Sequence, residues 1–305
     1  MRTRTSVILV TAAALGVVAT RRALSRGARS ALTGGLALAG YVPWPTRKQM
    51  AQQDLLELRS AHEERSASDG TRRLVRLIER TKAKYDEYTA GRRKEPPVFD
   101  ILVISGGGDW GAFGAGVLKG WQKVPVQHPL ALPEFDAVTG VSTGTLIAPF
   151  AFLGDGQSID QIVKLYRNPQ LDWVKQRGRL YFLPDNISFA EVPGLEREIR
   201  KHITLDMVRR IAKAGADGRI LDFNTTNLDD ATARVFDLVA EAQRAADSGQ
   251  LDRINNIMLA SAGIPGDWYP PLAGTFVKET MNNLADLGEK MGADPTSWSS
   301  EPPVF

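Results

Sequence analysis

Apolar positions are spaced along this chain in two ways. The run from Val98 to Ile104 is almost continuously apolar and of strand length, closed off by Pro96-Pro97 before it and Gly106-Gly107-Gly108 after it. Such a run suits a central parallel strand covered on both faces. Residues 112–123 then follow a helical period. A second apolar strand leads from Phe135 into Gly140-Val141-Ser142-Thr143-Gly144, and an apolar helix continues to about Leu153. Two strand–glycine turn–helix units in succession predict an α/β fold with a mostly parallel central sheet. They also put both glycine turns at the carboxyl ends of neighbouring strands. Further on, the pattern predicts helices over 159–166, 189–202, 205–214 and 251–262, and strands over 219–225 and 234–239.

The first hundred residues differ. Residues 46–93 are charged and helical in period, with Leu74, Ile78, Thr81, Tyr85 and Tyr88 on one face and Leu77 beside it. This predicts an N-terminal helical extension over 42–97 that packs on the main domain by its narrow apolar face. Ser66-Ala67-Ser68-Asp69-Gly70 predicts a break between two helices. Before it, residues 7–19 and 31–40 are apolar runs too short for a comfortable membrane span. They follow Arg2, Arg4, Arg21, Arg22 and Arg26, and no acid precedes Asp54. Residues 1–41 therefore read as a signal or anchor-like segment, giving an exported or envelope-associated bacterial protein, with a cytoplasmic one as the alternative.

Composition sharpens this only a little. A chain of 305 residues with 43% hydrophobic content and 24% charge can bury one large domain plus appendages. The net charge of +3 is concentrated at the N-terminus, which points to targeting or a membrane surface rather than to nucleic acid. With no cysteine there are no disulfides and no thiolate metal sites.

The two glycine turns carry the candidate chemistry. A strand that reverses into a helix within a few residues presents its turning residue at a helix N-terminus, in a strained conformation. Ser142 is thus the candidate nucleophile, with Gly140 and Gly144 as the small residues of the elbow. Gly106, Gly107 and Gly108, with Gly111 next to them, can turn backbone N–H groups toward one point as an oxyanion hole. Asp109 would oppose that role and is expected to face solvent, while Trp110 could wall an acyl-chain pocket. Gly106, Gly108 and Gly111 also satisfy a dinucleotide-binding pattern, but the acid it requires would be Glu134 or Asp136, late and at the start of the next strand. The only histidines are His62, His128 and His202. None stands where a late triad histidine would, so the base predicted for Ser142 is a carboxylate.

The residues from Ser105 to Leu118 and from Gly140 to Gly144 resemble the glycine-rich and nucleophile motifs of the patatin-like phospholipases. The likeness extends through Phe135–Gly140, Ala148–Gly154, Thr225–Asp229 and Ala260–Gly266. It implies a patatin-like three-layer fold over 98–271. The implied activity is hydrolysis of phospholipids or other acyl-ester lipids by a Ser–Asp dyad, at a membrane surface and without metal or cofactor. The family's Asp-Gly-Gly or Asp-Gly-Ala motif does not follow Pro271. Asp69-Gly70, Asp155-Gly156 and Asp217-Gly218 stand in other contexts, Asp267, Asp286 and Asp294 are out of frame, and residues 272–305 diverge. The dyad Asp is therefore unassigned. The alternative reading is a non-catalytic lipid-binding or interaction protein on the same fold.

Overall fold

A computed structural model describes residues 5–10, 51–176, 190–227, 231–262 and 276–298. Its main sheet contains β1 (Thr5–Val10), β2 (Phe99–Ile104), β3 (Ala137–Val141), β6 (Ile220–Asn227) and β7 (Thr232–Asp237), in the order β1-β2-β3-β6-β7. The first four are parallel and β7 closes the edge antiparallel to β6. A two-stranded pair, β4 (Lys175–Gln176) with β5 (Ala190–Glu191), lies apart from it. Leu102, Val138, Leu221 and Phe223 from three adjacent strands are at most 1% exposed, as expected of parallel strands covered on both faces.

The register fixes the site. Ile104 pairs with Gly140, and Val141 with Asn224. The glycine turn after β2 and the elbow after β3 therefore leave the sheet at the same end.

Helix α2 (Gly111–Trp121) follows β2, and α3 (Thr143–Leu153) follows β3. Every residue of α3 from Thr143 to Phe152 is buried, which an apolar helix without a polar face requires. It packs on α2, on α4 (Gly156–Arg167), on α6 (Leu205–Gly215) and on α8 (Asp252–Ala262). Helix α5 (Pro193–His202) starts later than the periodicity predicts, because Ala190 and Glu191 are used in the small β pair. Strand β7 gives way to a helix that the pattern did not announce, α7 (Leu238–Ser248). Asp237 stops the strand by accepting the Ala240 amide at 3.1 Å as an N-cap.

The C-terminal stretch forms α9 (Lys278–Ala293), which crosses α2 at backbone contact. A Cβ on Gly116 would lie 2.1 Å from Ala285 O, and one on Gly292 2.1 Å from Val117 O. Small residues on both helices let the backbones meet. Trp298, just beyond, packs on Trp121 with ring centroids 4.4 Å apart.

Two expectations about the extension are corrected. The stretch from Ser66 to Gly70 does not separate two helices: α1 (Gln52–Thr89) is continuous over 38 residues, about 57 Å. One glycine in a helix costs only about 1 kcal/mol, and Thr71 Oγ1 bonding to Ala67 O together with the Arg72–Asp69 pair supports that turn. Nor does α1 pack by its apolar stripe. Leu74 and Ile78 are each 57% exposed, and Tyr85 and Tyr88 are exposed as well. The docked face is the basic one. Arg73 reaches Asp222 at 3.2 Å, Arg76 reaches Asp237 at 2.5 Å, Arg80 reaches Asp136 at 2.7 Å and Glu134 at 2.5 Å, and Lys84 also bonds Asp136. The sheet margin offers α1 carboxylates rather than apolar surface, and ion pairing selected the face. Among the described residues no helix is long and apolar enough to cross a membrane. Of the signal-like segment only Thr5–Val10 is described, as β1 alongside β2; the rest of 1–41 lies outside the described residues.

Candidate active site

Ser142 sits between the last residue of β3 and the first of α3, with φ 53° and ψ −122°. Such a backbone is costly for a residue with a Cβ, of order 1–3 kcal/mol, and persists only where the surroundings over-determine it. They do so here. A Cβ on Gly140 would lie 2.5 Å from the Gly144 carbonyl carbon, and one on Gly144 would lie 2.2 Å from Ile104 O. The elbow closes only because both flanking residues lack side chains. Ser142 O accepts the Thr145 amide at 2.9 Å as the first bond of α3, so the partial positive charge of this buried helix is directed at the serine.

The glycine turn after β2 lies against it. A Cβ on Gly106 would stand 3.0 Å from Ser142 Cβ and 3.7 Å from its Oγ. Gly107 and Gly108 have φ 145° and 55°, the region that glycine alone enters freely, and a short 3-10 turn (Gly108–Trp110) carries the chain into α2. Among the described residues nothing accepts a hydrogen bond from the Gly107 or Gly108 amide. Gly111 begins α2 against Thr143 and Tyr166, and a Cβ there would overlap both hydroxyls. The structure thus brings Ser142 together with the turn of Gly106, Gly107, Gly108 and Gly111.

Asp109 does not face solvent as expected. The 3-10 turn rolls its carboxylate toward the segment before α9, where it accepts the Phe276 amide at 2.8 Å. Burial raises its pKa, and the Phe276 amide opposes the rise. Trp110 lies beside Gly107 and is 46% exposed.

The sequence did not single out several supporting residues. Tyr166 is 1% exposed; its hydroxyl bonds Thr143 Oγ1 and donates to Thr143 O at 3.2 Å. Burial lifts that phenol far above its ordinary pKa, so it acts as a neutral donor. Asn224 Nδ2, in the middle of β6 where β3 ends beside it, donates to Thr139 Oγ1 at 2.6 Å. Ser261 Oγ, from α8, contacts the Ser142 amide at 3.0 Å. Of Tyr166, Asn224 and Ser261, only Ser261 lay in a segment already marked by its resemblance to known proteins.

No histidine among the described residues serves Ser142. His62 bonds Ala233 O from α1, His128 Nδ1 accepts from the Leu130 amide in a loop, and His202 bonds Gln161 and Glu198 at the end of α5. Two of the candidate bases are also elsewhere. Asp286 pairs with Arg167 at 2.7 Å, and Asp294 caps Thr296 at 2.9 Å beside the far end of α2. Asp267 lies outside the described residues. Glu134 and Asp136, which a nucleotide ribose would need, are held by Arg80 at the opposite end of β3 from the glycine turn. Among the described residues no three His, Cys, Asp or Glu side chains are grouped so as to hold a metal ion. A cavity of about 1050 Å³ between α7 and α8 is lined by Phe236, Ile254, Ile257 and Ala260 rather than by Ser142.

No curated protein and no solved structure gives a significant match to the chain. A family model described as patatin-like phospholipase matches residues 102–274, a span that takes in the second half of β2, both glycine turns, β3, β6, β7 and Ser261. That span is more than half of the sequence, and the chain belongs to the patatin-like phospholipase family.

Proposed function

We propose that this protein is a lipid acyl hydrolase that cleaves ester bonds of phospholipids or related lipids. Ser142 attacks the ester carbonyl, and the amides of the Gly106–Gly108 turn receive the oxyanion that develops. The observation that carries this reading is the strained Ser142, half-buried at the N-terminus of α3, with the glycine turn in van der Waals contact. Each amide aimed at the oxyanion contributes roughly 2.7–4 kcal/mol to transition-state stabilisation. The Ser142 proton needs a carboxylate base, and no described aspartate is assigned that role. A basic N-terminus free of acids up to Asp54 supports delivery to the envelope or to a membrane surface.

The missing Asp-Gly motif favours a second reading, a lipid-binding protein that kept the fold and lost its base. A fluorophosphonate probe separates the two. Covalent labelling at Ser142, mapped by mass spectrometry and absent from Ser142→Ala, is expected of the hydrolase. A folded protein that takes no label is expected of the binder, and labelling at another serine would reject Ser142 as the nucleophile.

A further inference from the structure

The Ser261 hydroxyl joins three elements that meet at the nucleophile. It is 8% exposed and sits within 2.7 Å of Asn224 O on β6, 2.7 Å of Thr145 Oγ1 on α3 and 3.0 Å of the Ser142 amide. A hydroxyl has one proton and two lone pairs, which fixes the direction of each bond. The carbonyl of Asn224 can only accept, so Ser261 gives its proton there. Both lone pairs are then filled, one by the Ser142 N–H and one by the Thr145 hydroxyl. All three valences are used, and Thr145, which is fully buried, has its donor satisfied as well.

The Ser142 amide adjoins the φ torsion that takes the unusual value of 53°. A hydrogen bond at that amide holds the torsion directly. Because Ser261 is anchored in turn to β6, the hold is relative to the sheet and not merely to α3. We infer that Ser261 is a positioning residue: its hydroxyl locks the strained backbone of Ser142, and thereby sets where the Ser142 Oγ points. This rests on the hydrolase reading for its consequence, though not for its geometry.

The test uses the full chain. Rates of fluorophosphonate labelling are measured over a range of probe concentrations for wild type, Ser261→Ala and Ser261→Thr, with melting temperatures for each. Ser261→Ala should lower the maximal labelling rate about 10- to 100-fold, the range that a sub-ångström to ångström misplacement produces. Its half-saturating probe concentration should stay within about twofold of wild type, and Ser261→Thr, which keeps the hydroxyl, should recover most of the rate. A folded Ser261→Ala that labels at the wild-type rate overturns the inference. Should Ser261→Ala not fold, Thr145→Val, which removes one of the three bonds, is expected to slow labelling several-fold, and an unchanged rate is equally fatal.

Amide exchange at Ser142 separates this inference from the hydrolase reading. If wild type takes no label, the hydrolase reading fails, while a Ser142 amide protected in wild type and labile in Ser261→Ala upholds the brace. An amide that exchanges freely in wild type disproves it.

Discussion

Gly106 and Ser142 are in contact across two neighbouring strand ends: a Cβ on Gly106 would stand 3.0 Å from Ser142 Cβ and 3.7 Å from its Oγ. Gly106 does not have a positive φ, so alanine meets no backbone objection there, and its cost falls on the serine. Gly106→Ala should slow probe labelling and ester hydrolysis by about 100-fold, while the melting temperature changes by only a few degrees. A variant that keeps its rate would show that this turn does not border the reacting centre.

The contact between α2 and α9 makes a separate prediction about stability. A Cβ on Gly288 would lie 2.1 Å from Phe113 O and 2.9 Å from the Val117 amide, and both are backbone atoms that cannot swing aside. Gly288→Ala should destabilise the protein by about 1–3 kcal/mol, the usual cost of overpacking, seen as a lower urea midpoint. Gly70→Ala is the control. It lies inside α1 with nothing within 4 Å of the added methyl, and should stabilise by roughly 0.5–1 kcal/mol.

These positions differ in how far the sequence revealed them. Apolar runs ending in glycine clusters gave β2, β3 and both turns, because burial on both faces and a tight reversal leave local marks. The partners of α1 left none. Its stripe at Leu74, Ile78, Tyr85 and Tyr88 is a sound amphipathic pattern, yet the opposite face docks, since what decides is the row of carboxylates that distant strands bring to the sheet margin. Asp109 and Ser261 were opaque for the same reason. Their partners, Phe276 and Ser142, lie more than a hundred residues away in sequence, and only the fold brings each pair together.

Arg80 is the residue on which α1 docking turns. Its guanidinium is 6% exposed and holds Asp136, which is 2% exposed, at 2.7 Å, together with Glu134 and Asp217. Asp136 also accepts the Asp100 amide at 3.0 Å and bonds Lys84. Burial alone would raise the Asp136 pKa, but Lys84 and Arg80 outweigh it and hold it below the ordinary value. Its contribution is therefore present at neutral pH and lost as pH falls through that lowered pKa. Arg80→Ala strands a buried carboxylate and should cost about 3 kcal/mol at pH 7, near the low end for a broken buried pair because Lys84 remains. Circular dichroism through a urea series measures it, and a loss under 1 kcal/mol would mean that α1 is held by other contacts.

Asp222 should do the reverse. It faces Arg73 at 3.2 Å, with Asp237 and Arg76 beside it. One carboxylate oxygen, Oδ1, is buried without a hydrogen-bond partner among the described residues. Burial, aided by Asp237 and opposed by Arg73 and Arg76, pushes its pKa up to about 6. The unfolded value is about 3.9, so between roughly pH 4 and 6 the folded protein binds more protons than the unfolded chain, and stability falls as pH rises through that window. The full penalty, about 2 to 3 kcal/mol at 1.36 kcal/mol per unit, is reached above pH 6. Asp222→Asn keeps an acceptor for Arg73 and removes the titration. Urea unfolding from pH 4.5 to 7.5 should show the variant gaining on wild type as pH rises, and a difference that stays constant across the range would show that the folded state does not shift the titration of this carboxylate.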